Sequence, residues 1–143
     1  MHVRRNISKW GFWYLLPALL FGGLIFFLSS ISRYPESFPA FWGFDKVVHC
    51  AVYYLLGLLL MRMCIHAPWP VMVKYAAILT AATGIVYGIS DELHQSFVPG
   101  RMSSVADVVF DALGVILAVI SCRVFKGKCD SGSEAVRGGK VIR

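Results

Sequence analysis

Residues 10–32 read WGFWYLLPALLFGGLIFFLSSIS, a run of 23 residues without a charged side chain. A helix that crosses the hydrocarbon core of a bilayer needs about 20 mostly apolar residues. A secretory signal also follows basic residues, here Arg4, Arg5 and Lys9, but its apolar region is only about 7–15 residues long. The length of this run therefore predicts a retained membrane-spanning helix.

Three further apolar runs follow, over residues 47–65, 71–90 and 105–122. The chain of 143 residues is 57% hydrophobic and 15% charged, whereas an ordinary soluble domain is about 25% charged. A small domain cannot hide so much apolar surface, and disordered chains are poor in apolar residues. The sequence therefore predicts an all-α integral membrane bundle of four transmembrane helices. Its expected parts are a basic cytoplasmic N-terminus (1–9), the membrane domain (10–124) and a basic, disordered cytoplasmic tail (125–143).

The positive charge is concentrated on one side of the predicted bundle. Four crossings place both termini on the same side, and that side receives 11 of the 14 lysines and arginines. The opposite side receives three, Arg33, Lys46 and Arg101. Because cytoplasmic segments are enriched in basic residues, both termini are predicted to be cytoplasmic. This distribution accounts for the net charge of +6 without a nucleic-acid partner.

Ionisable residues gather at the opposite, extracytoplasmic end of the predicted helices, where three helix ends meet. Charged groups near a membrane are costly unless they are paired, bind a cation or take up protons. Such residues therefore indicate a functional site. The residues that share this position are Asp45, Lys46, His49, Asp91, Glu92, Gln95, Arg101, Asp107 and Asp111.

The fourth run directs its acids into the bundle. Asp107, Asp111, Gly114 and Ala118 recur at spacings of four and three residues, so that one stripe joins the acids to small residues. Small residues let helices approach closely in lipid, and we expect this stripe to face the third helix. One of the two serines at 103–104 is expected to cap the start of the fourth helix.

Several chemistries fit these groups. Glu92 and Asp107 could act as general acid and base or hold a divalent cation, and His49 could carry a proton or act as a ligand. Arg101 and Lys46 could bind a phosphate, since arginine offers a bidentate fork and lysine a point charge. The identity of a metal or other cofactor stays open, because no HExxH or comparable spacing is present. The remaining residues expected to line the binding site are Asp45, Asp91, Gln95 and Asp111.

The same cluster also fits a structural interpretation, in which ion pairs between helices only hold the bundle together. For single residues this interpretation is the favoured one. His94 is expected to lie at a helix interface, while Tyr53 and Tyr87 are expected to pack in the bundle and each make one hydrogen bond. The four cysteines are expected to act as small apolar fillers, because none of them has the spacing of a metal site.

Three stretches resemble the VanZ-like family of small membrane proteins: FFLSSIS (26–32), DKVVHCAVYYLLGLLL (45–60) and YGISDELHQSFVPGRMSSVADVVFDALG (87–114). The resemblance covers roughly residues 10–122. It implies a helical domain of about four crossings in the cell envelope and an association with low-level resistance to glycopeptide antibiotics such as teicoplanin. Asp111 stands where many members have asparagine. The family pattern falls on Asp45, Lys46, His49, Asp91, Glu92, Gln95, Arg101 and Asp107.

The resemblance and the charged cluster together predict a multi-pass protein of the bacterial cytoplasmic membrane that binds or modifies an envelope component or its lipid carrier. The expected partners are membrane lipid and a lipid-linked phosphate or cell-wall precursor. Neither enzymatic activity nor oligomeric state follows from the sequence. One alternative is a non-enzymatic scaffold or partner protein whose charged cluster only locks the helices. Another, an ion-coupled transporter, is disfavoured because the chain has no inverted repeat.

Overall fold

The computed structural model describes residues 7–32, 43–101 and 103–138, with side chains as far as Phe125. Every regular element in these ranges is a helix, which confirms the all-α prediction. Arg33 and the ends of the predicted N-terminus and tail lie outside the described residues. The helices are α1 (Ile7–Ser29), α2 (Phe44–Ile65), α3 (Pro70–Lys74), α4 (Ala76–Gln95) and α5 (Val105–Gly138).

Helix α1 is continuous, but its hydrogen-bonding pattern changes where a proline enters it. Gly11–Leu15 forms a π-helical turn, and Pro17 lies in the first turn of the α-helical segment Leu16–Ser29. Proline lacks an N–H, and its ring crowds the carbonyl one turn earlier in a regular α-helix. The wider π turn relieves that crowding, because it changes the hydrogen-bond register just before the proline. The first predicted crossing therefore persists as one helix.

Three helices are long and apolar enough to cross a membrane: Ile7–Ser29, Phe44–Ile65 and Val105–Phe125. Large apolar side chains stand exposed on their outer surfaces, with Phe27 63% and Val109 58% exposed. Extended apolar surface of this kind suits lipid and not water. The chain is therefore a multi-pass membrane protein.

The fourth predicted crossing differs from the structure. The apolar run 71–90 divides at Tyr75 into α3 and α4, and α4 continues to Gln95. The last turns of α4 carry Asp91 and Glu92. These acids lower its mean hydropathy, and α4 is therefore not among the helices that are apolar enough to cross a membrane. That α4 crosses the membrane stays a prediction.

Helices α2 and α5 share the most extensive interface of the bundle, and glycines bring them together. A Cβ atom at Gly114 would overlap the carbonyl oxygen of Cys50, and one at Gly57 would lie 2.7 Å from the Cβ of Ala118. Neither glycine has room for a side chain. The small-residue stripe of α5 therefore packs on α2, a partner that the sequence does not predict.

Helix α4 contacts the same side of α5 at two glycines of its own. Gly84 lies against Val115, and Gly88 lies against Asp111. The stripe of α5 is thus shared between α2 and α4. This arrangement corrects the expected single partner and places Asp111 between both helices.

The backbone of α5 stays helical to Gly138. The helix thus continues 13 residues beyond Phe125, the last residue of the apolar membrane-spanning part of α5. No proline occurs between residues 105 and 138, and nothing in the backbone therefore forces the helix to end at the edge of the apolar run.

Candidate functional site

Four helix ends meet at one end of the bundle: the C-terminal ends of α1 and α4 and the N-terminal ends of α2 and α5. Burial of polar groups is costly unless each is hydrogen-bonded or paired with a charge. The meeting of helix ends predicted from the sequence is observed, with α1 as an additional member. The buried polar side chains at this end are Ser29, Asp91, Glu92, Gln95, Asp107 and Asp111.

Lys46 joins α2 to α5 through an ion pair. Its Nζ donates to Oδ1 of Asp107 and, at 2.8 Å, to Oδ2 of Asp45. The Asp107 side chain is 7% exposed, whereas that of Asp45 is 61% exposed. The pair with Asp107 therefore compensates a buried charge, while the pair with Asp45 lies at the surface and contributes little to stability.

His49 lies close to two carboxylates from different helices. Its Nδ1 is 2.9 Å from Oδ1 of Asp111 on α5 and 4.0 Å from Oε1 of Glu92 on α4. The backbone N–H of Ser104 donates to the other oxygen of Glu92, Oε2, at 3.1 Å and so orients the carboxylate. We call His49, Glu92 and Asp111 the histidine–carboxylate group.

Asp91 and Gln95 form a separate hydrogen-bonded network with the end of α1. The Ser29 hydroxyl donates to Oδ2 of Asp91 at 3.0 Å, and Gln95 Nε2 donates to the same oxygen at 3.0 Å. Gln95 Nε2 also donates to the Ser29 hydroxyl oxygen at 3.3 Å. These contacts attach α1 to α4, so that two of the predicted binding residues are engaged with one another.

Comparison with models of known protein families identifies the family of this chain. The family model described as VanZ/LLP1 matches residues 6–126. The chain belongs to the VanZ/LLP1 family. This confirms the resemblance noted in the sequence. Comparison with curated proteins finds no match, and comparison with solved structures finds none.

In this VanZ/LLP1 chain the residues interpreted as structural do pack between helices. The His94 ring stacks on Phe26 with ring centroids 4.4 Å apart, and the Tyr87 hydroxyl donates to the carbonyl of Gly22 at 2.6 Å. Tyr53 is 1% exposed in the core, but its hydroxyl has no hydrogen-bond partner among the described residues, so the hydrogen bond predicted for it is not observed. All three residues therefore help to assemble the bundle around the site.

Arg101 follows a tight turn at Gly100, whose φ is +82°. The Arg101 N–H donates to the carbonyl of Val98 at 3.2 Å, and a Cβ at position 100 would come within 2.8 Å of the Ser32 carbonyl oxygen. The turn thus contacts the end of α1 and leads the chain into α5. Arg101 itself is half-buried, and its joint action with Lys46 on an anion stays a prediction.

Glu92 and Asp111 are buried with part of their hydrogen-bonding capacity unused. Among the described residues, Oε1 of Glu92 and Oδ2 of Asp111 have no hydrogen-bond partner. Glu92 lies outside the three membrane-crossing segments, and its burial raises the pKa of its carboxyl above the usual value, while the Ser104 N–H acts in the opposite direction. The histidine–carboxylate group therefore holds acceptor oxygens that its own residues do not satisfy.

The contacts of the predicted residues differ from those expected for the roles that the sequence suggests. The sequence suggests acid–base roles for Glu92, Asp107 and His49, but Asp107 pairs with Lys46 instead. Asp111, expected only to line the site, is the hydrogen-bond partner of His49. The histidine–carboxylate group is therefore the part of the site with the chemistry to exchange a proton or to hold a cation.

Two contributors to the site are absent from the sequence-based set. Ser29 completes the network with Asp91, and the Ser104 N–H orients Glu92. The Ser104 hydroxyl also accepts from the Ala106 N–H at 3.1 Å, as expected for a helix cap. For Ser29 the sequence offers no signal, because Ser30 and Ser32 stand beside it in the same run.

Proposed function

We propose that this VanZ/LLP1 protein binds an anionic envelope component at the extracytoplasmic end of its bundle. The ligand class is a lipid-linked phosphate or a cell-wall precursor on its lipid carrier. The main support is the gathering of buried and half-buried charges of both signs at one end of an otherwise apolar bundle. Membrane lipid is the surrounding partner.

The proposed setting is the bacterial cytoplasmic membrane with both termini in the cytoplasm. It includes a fourth crossing over the run 71–90 in addition to the three helices that are long and apolar enough. With four crossings, 11 of the 14 lysines and arginines fall on the side of the termini. The positive-inside rule then assigns that side to the cytoplasm and the charged end to the outside.

An apolar groove beside Lys46 supports a ligand that carries a lipid chain. The groove has a volume of about 550 Å³ and runs between α2 and α5 on the outer surface of the bundle. Its first lining residue, Val47, follows Lys46 in the chain. The Lys46 side chain is 24% exposed, so an anion could reach its Nζ, which has a third N–H besides those donated to Asp45 and Asp107. A phosphate at Lys46 could therefore be joined to a chain in the groove. The lining residues are Val47, Cys50, Ala51, Tyr54, Leu55, Phe110 and Leu117.

Chemical modification of the bound component is the enzymatic extension of this proposal. His49 is suited to proton transfer, since its Nδ1 lies 2.9 Å from Oδ1 of Asp111, within hydrogen-bond reach. Glu92, whose Oε1 lies 4.0 Å from the same nitrogen, would have to move closer to take part. Asp107, the third candidate, is held by Lys46 and contributes to charge balance. The binding of a polyprenyl phosphate can be tested without any enzymatic activity.

The test compares Arg101→Ala with wild type for binding of a polyprenyl phosphate in lipid nanodiscs. A hydrogen bond to a charged group contributes about 1.5–3 kcal/mol, so we expect the dissociation constant to rise about tenfold or more. Arg123→Ala is the matched control, because Arg123 is exposed near the other end of the membrane-spanning part of α5, Val105–Phe125. Equal affinity of all three proteins would contradict the role of Arg101 in anion binding.

The same variants test a contribution to glycopeptide resistance. Expression of the wild type in a susceptible host is expected to raise the inhibitory concentration of teicoplanin, and Arg101→Ala at equal expression is expected to abolish the increase. Arg123→Ala should retain it. If expression of the wild type leaves the susceptibility of the host unchanged, the protein does not contribute to resistance, and the proposal of envelope binding stands without it.

The second candidate function is a membrane scaffold whose charged cluster only locks the helices. It is favoured by the ion pair of Lys46 with Asp107 and the hydrogen bonds of Asp91 with Ser29, all of which join different helices. Thermal unfolding of Glu92→Gln in detergent with a chelator discriminates the two, because the side chains have nearly the same shape. Breaking a buried ion pair typically costs about 3–5 kcal/mol.

We expect the melting temperature of Glu92→Gln to be unchanged or higher. Oε1 of Glu92 accepts no hydrogen bond from the described residues, and its charge faces that of Asp111. A carboxylate kept without benefit to stability indicates a functional group. A fall of many degrees would instead support the scaffold.

A further inference from the structure

We infer that His49, Glu92 and Asp111 form a binding site for a divalent transition-metal ion, Zn²⁺ or Mn²⁺. The inference concerns the histidine–carboxylate group alone and does not depend on anion binding at Lys46. It is carried by the arrangement of the three side chains and by the unsatisfied oxygens among them.

The three side chains converge from three separate helices. One ligand atom from each lies within 4.8 Å of the ligand atoms of the other two. Two of these separations include His49 Nδ1, at 2.9 Å to Asp111 and 4.0 Å to Glu92. Metal–ligand bonds of about 2.0–2.2 Å place neighbouring donors roughly 3 Å apart. A small inward movement of Glu92 would therefore complete a three-ligand site.

The second, independent observation is the state of the carboxylate oxygens. The side chains of Glu92 and Asp111 are 6% and 1% exposed, and each has one oxygen without a hydrogen-bond partner among the described residues. Because the Ser104 N–H holds Oε2 of Glu92, the unsatisfied Oε1 is the oxygen directed at His49. A buried carboxylate oxygen without a partner is unfavourable, and a bound cation would remove that penalty.

The negative charge of the histidine–carboxylate group is not fully balanced by its own residues. Two carboxylates face one imidazole, so that even a protonated His49 balances only one of them. The nearest ammonium, that of Lys46, is taken by Asp107 and Asp45. A divalent ion on Glu92 and Asp111 would bring the group to neutrality.

The ligand types select the class of metal. Imidazole nitrogen suits zinc and other first-row transition ions, while carboxylate oxygens also suit manganese, and calcium or magnesium prefer oxygen alone. Binding requires the lone pair of Nδ1, so a neutral His49 would bind as the tautomer with its proton on Nε2, and a protonated His49 would release its Nδ1 proton to solvent. No protein ligand beyond these three is needed, which leaves positions on the metal for water or another ligand.

The test is metal binding by the purified full chain in detergent after removal of metal with a chelator. We expect wild type to take up one Zn²⁺ or Mn²⁺ ion per chain, as measured by calorimetry and elemental analysis. Glu92→Gln and Asp111→Asn should each weaken binding at least tenfold. Asp45→Asn is the matched control, since it exchanges a carboxylate for an amide at the same end of the bundle but outside the group.

Chemical modification of histidine tests the site in the wild type, without a variant that could fail to fold. Diethylpyrocarbonate acylates an imidazole nitrogen that has a free lone pair. Zinc on Nδ1 leaves Nε2 protonated, so Zn²⁺ should protect His49 and not His66, which lies at the C-terminal end of α2. Modification is read out by mass spectrometry of peptides.

The inference is overturned if wild type binds less than one ion per chain, or if Zn²⁺ leaves the modification of His49 unchanged. It is also overturned if folded Glu92→Gln binds metal as tightly as Asp45→Asn. Each of these results leaves the binding of polyprenyl phosphate untouched, whereas loss of that binding in Arg101→Ala says nothing about the metal. The two proposals therefore fail separately.

Discussion

Lys46 and His49 lie one turn apart on α2, and their partners Asp107 and Asp111 lie one turn apart on α5. The two contacts look alike, but their charge balance differs. The lysine neutralises Asp107, whereas Asp111 shares its histidine with a second buried carboxylate, Glu92. The two aspartates therefore differ in role. Asp107 stabilises the bundle through its ion pair with Lys46, whereas Asp111 and His49 are available to bind a ligand.

At the residue scale, replacement of Lys46 by methionine tests the stabilising half of this division. Lys46→Met keeps an apolar stem and leaves Asp107, 7% exposed, without its counter-charge. Loss of one partner of a buried pair costs about 3–5 kcal/mol. We expect the melting temperature in detergent to fall by several degrees or more.

The double variant Lys46→Met with Asp107→Asn supplies the internal control for this prediction. Removal of both charges is expected to recover most of the lost stability, because the cost arises from an uncompensated carboxylate. Asp45→Asn should change the melting temperature little, since its side chain is 61% exposed. A double variant as unstable as Lys46→Met alone would show that packing of the lysine stem, and not charge, matters.

The residues of the site could be collected from sequence, but their pairing could not. Spacing along one helix assigns Asp107 and Asp111 to one face, because a helical turn is 3.6 residues. Which of them meets Lys46 depends on the register between α2 and α5. That register is set where Gly114 meets Cys50, a contact between distant parts of the chain.

At the scale of elements, the contact between α2 and α5 predicts the effect of one added methyl group. A Cβ at Gly114 would overlap the carbonyl oxygen of Cys50 and lie 2.8 Å from the backbone nitrogen of Tyr54. Backbone atoms cannot rotate away as side chains can. We expect Gly114→Ala to destabilise the bundle by about 1–3 kcal/mol, the usual range for overpacking.

Gly23→Ala is the matched control, because nothing lies within 4 Å of a Cβ at that position of α1. Alanine is the better helix former by about 1 kcal/mol, so this variant should be as stable as wild type or more so. Both are compared by thermal unfolding in the same detergent. Equal melting temperatures for Gly114→Ala and Gly23→Ala would mean that α2 and α5 are further apart than described.

The helices themselves were largely predictable, and the exceptions have physical reasons. Hydropathy marks the apolar run 71–90, but it does not detect the non-helical backbone of Tyr75 (φ −102°, ψ 18°), which separates α3 from α4. It also places the end of the run before Asp91 and Glu92. The helix includes both residues and ends at Gln95, and the burial of their side chains in the bundle is a tertiary effect that no local pattern contains.

At the scale of the whole molecule, the distribution of basic residues predicts the orientation. A fluorescent protein fused after residue 143 should fluoresce, because it would remain in the cytoplasm. Alkaline phosphatase fused after residue 100 should be active, since the turn at Gly100 is expected outside. Fusions after residue 68, between the second and third apolar runs, serve as the cytoplasmic control.

The opposite pattern at residue 100 would contradict the orientation. If phosphatase is inactive there while the fusion after residue 143 fluoresces, α5 does not cross the membrane as proposed. If both reporters show the reverse, the bundle is inverted and the charged end faces the cytoplasm. In that case a cytoplasmic anion, and not an envelope component, becomes the ligand to test.

The fit of Gly114 against Cys50 also has a mechanical consequence. A slide of α5 along α2 by one turn would cover about 5.4 Å. It would set Lys46 opposite Asp111 and bring the side chain of Ala118 against the carbonyl of Cys50, where only a glycine has room. These two helices therefore act as a fixed frame. A motion that admits a ligand would involve the other helices, of which α1 is attached at this end through the hydroxyl of Ser29.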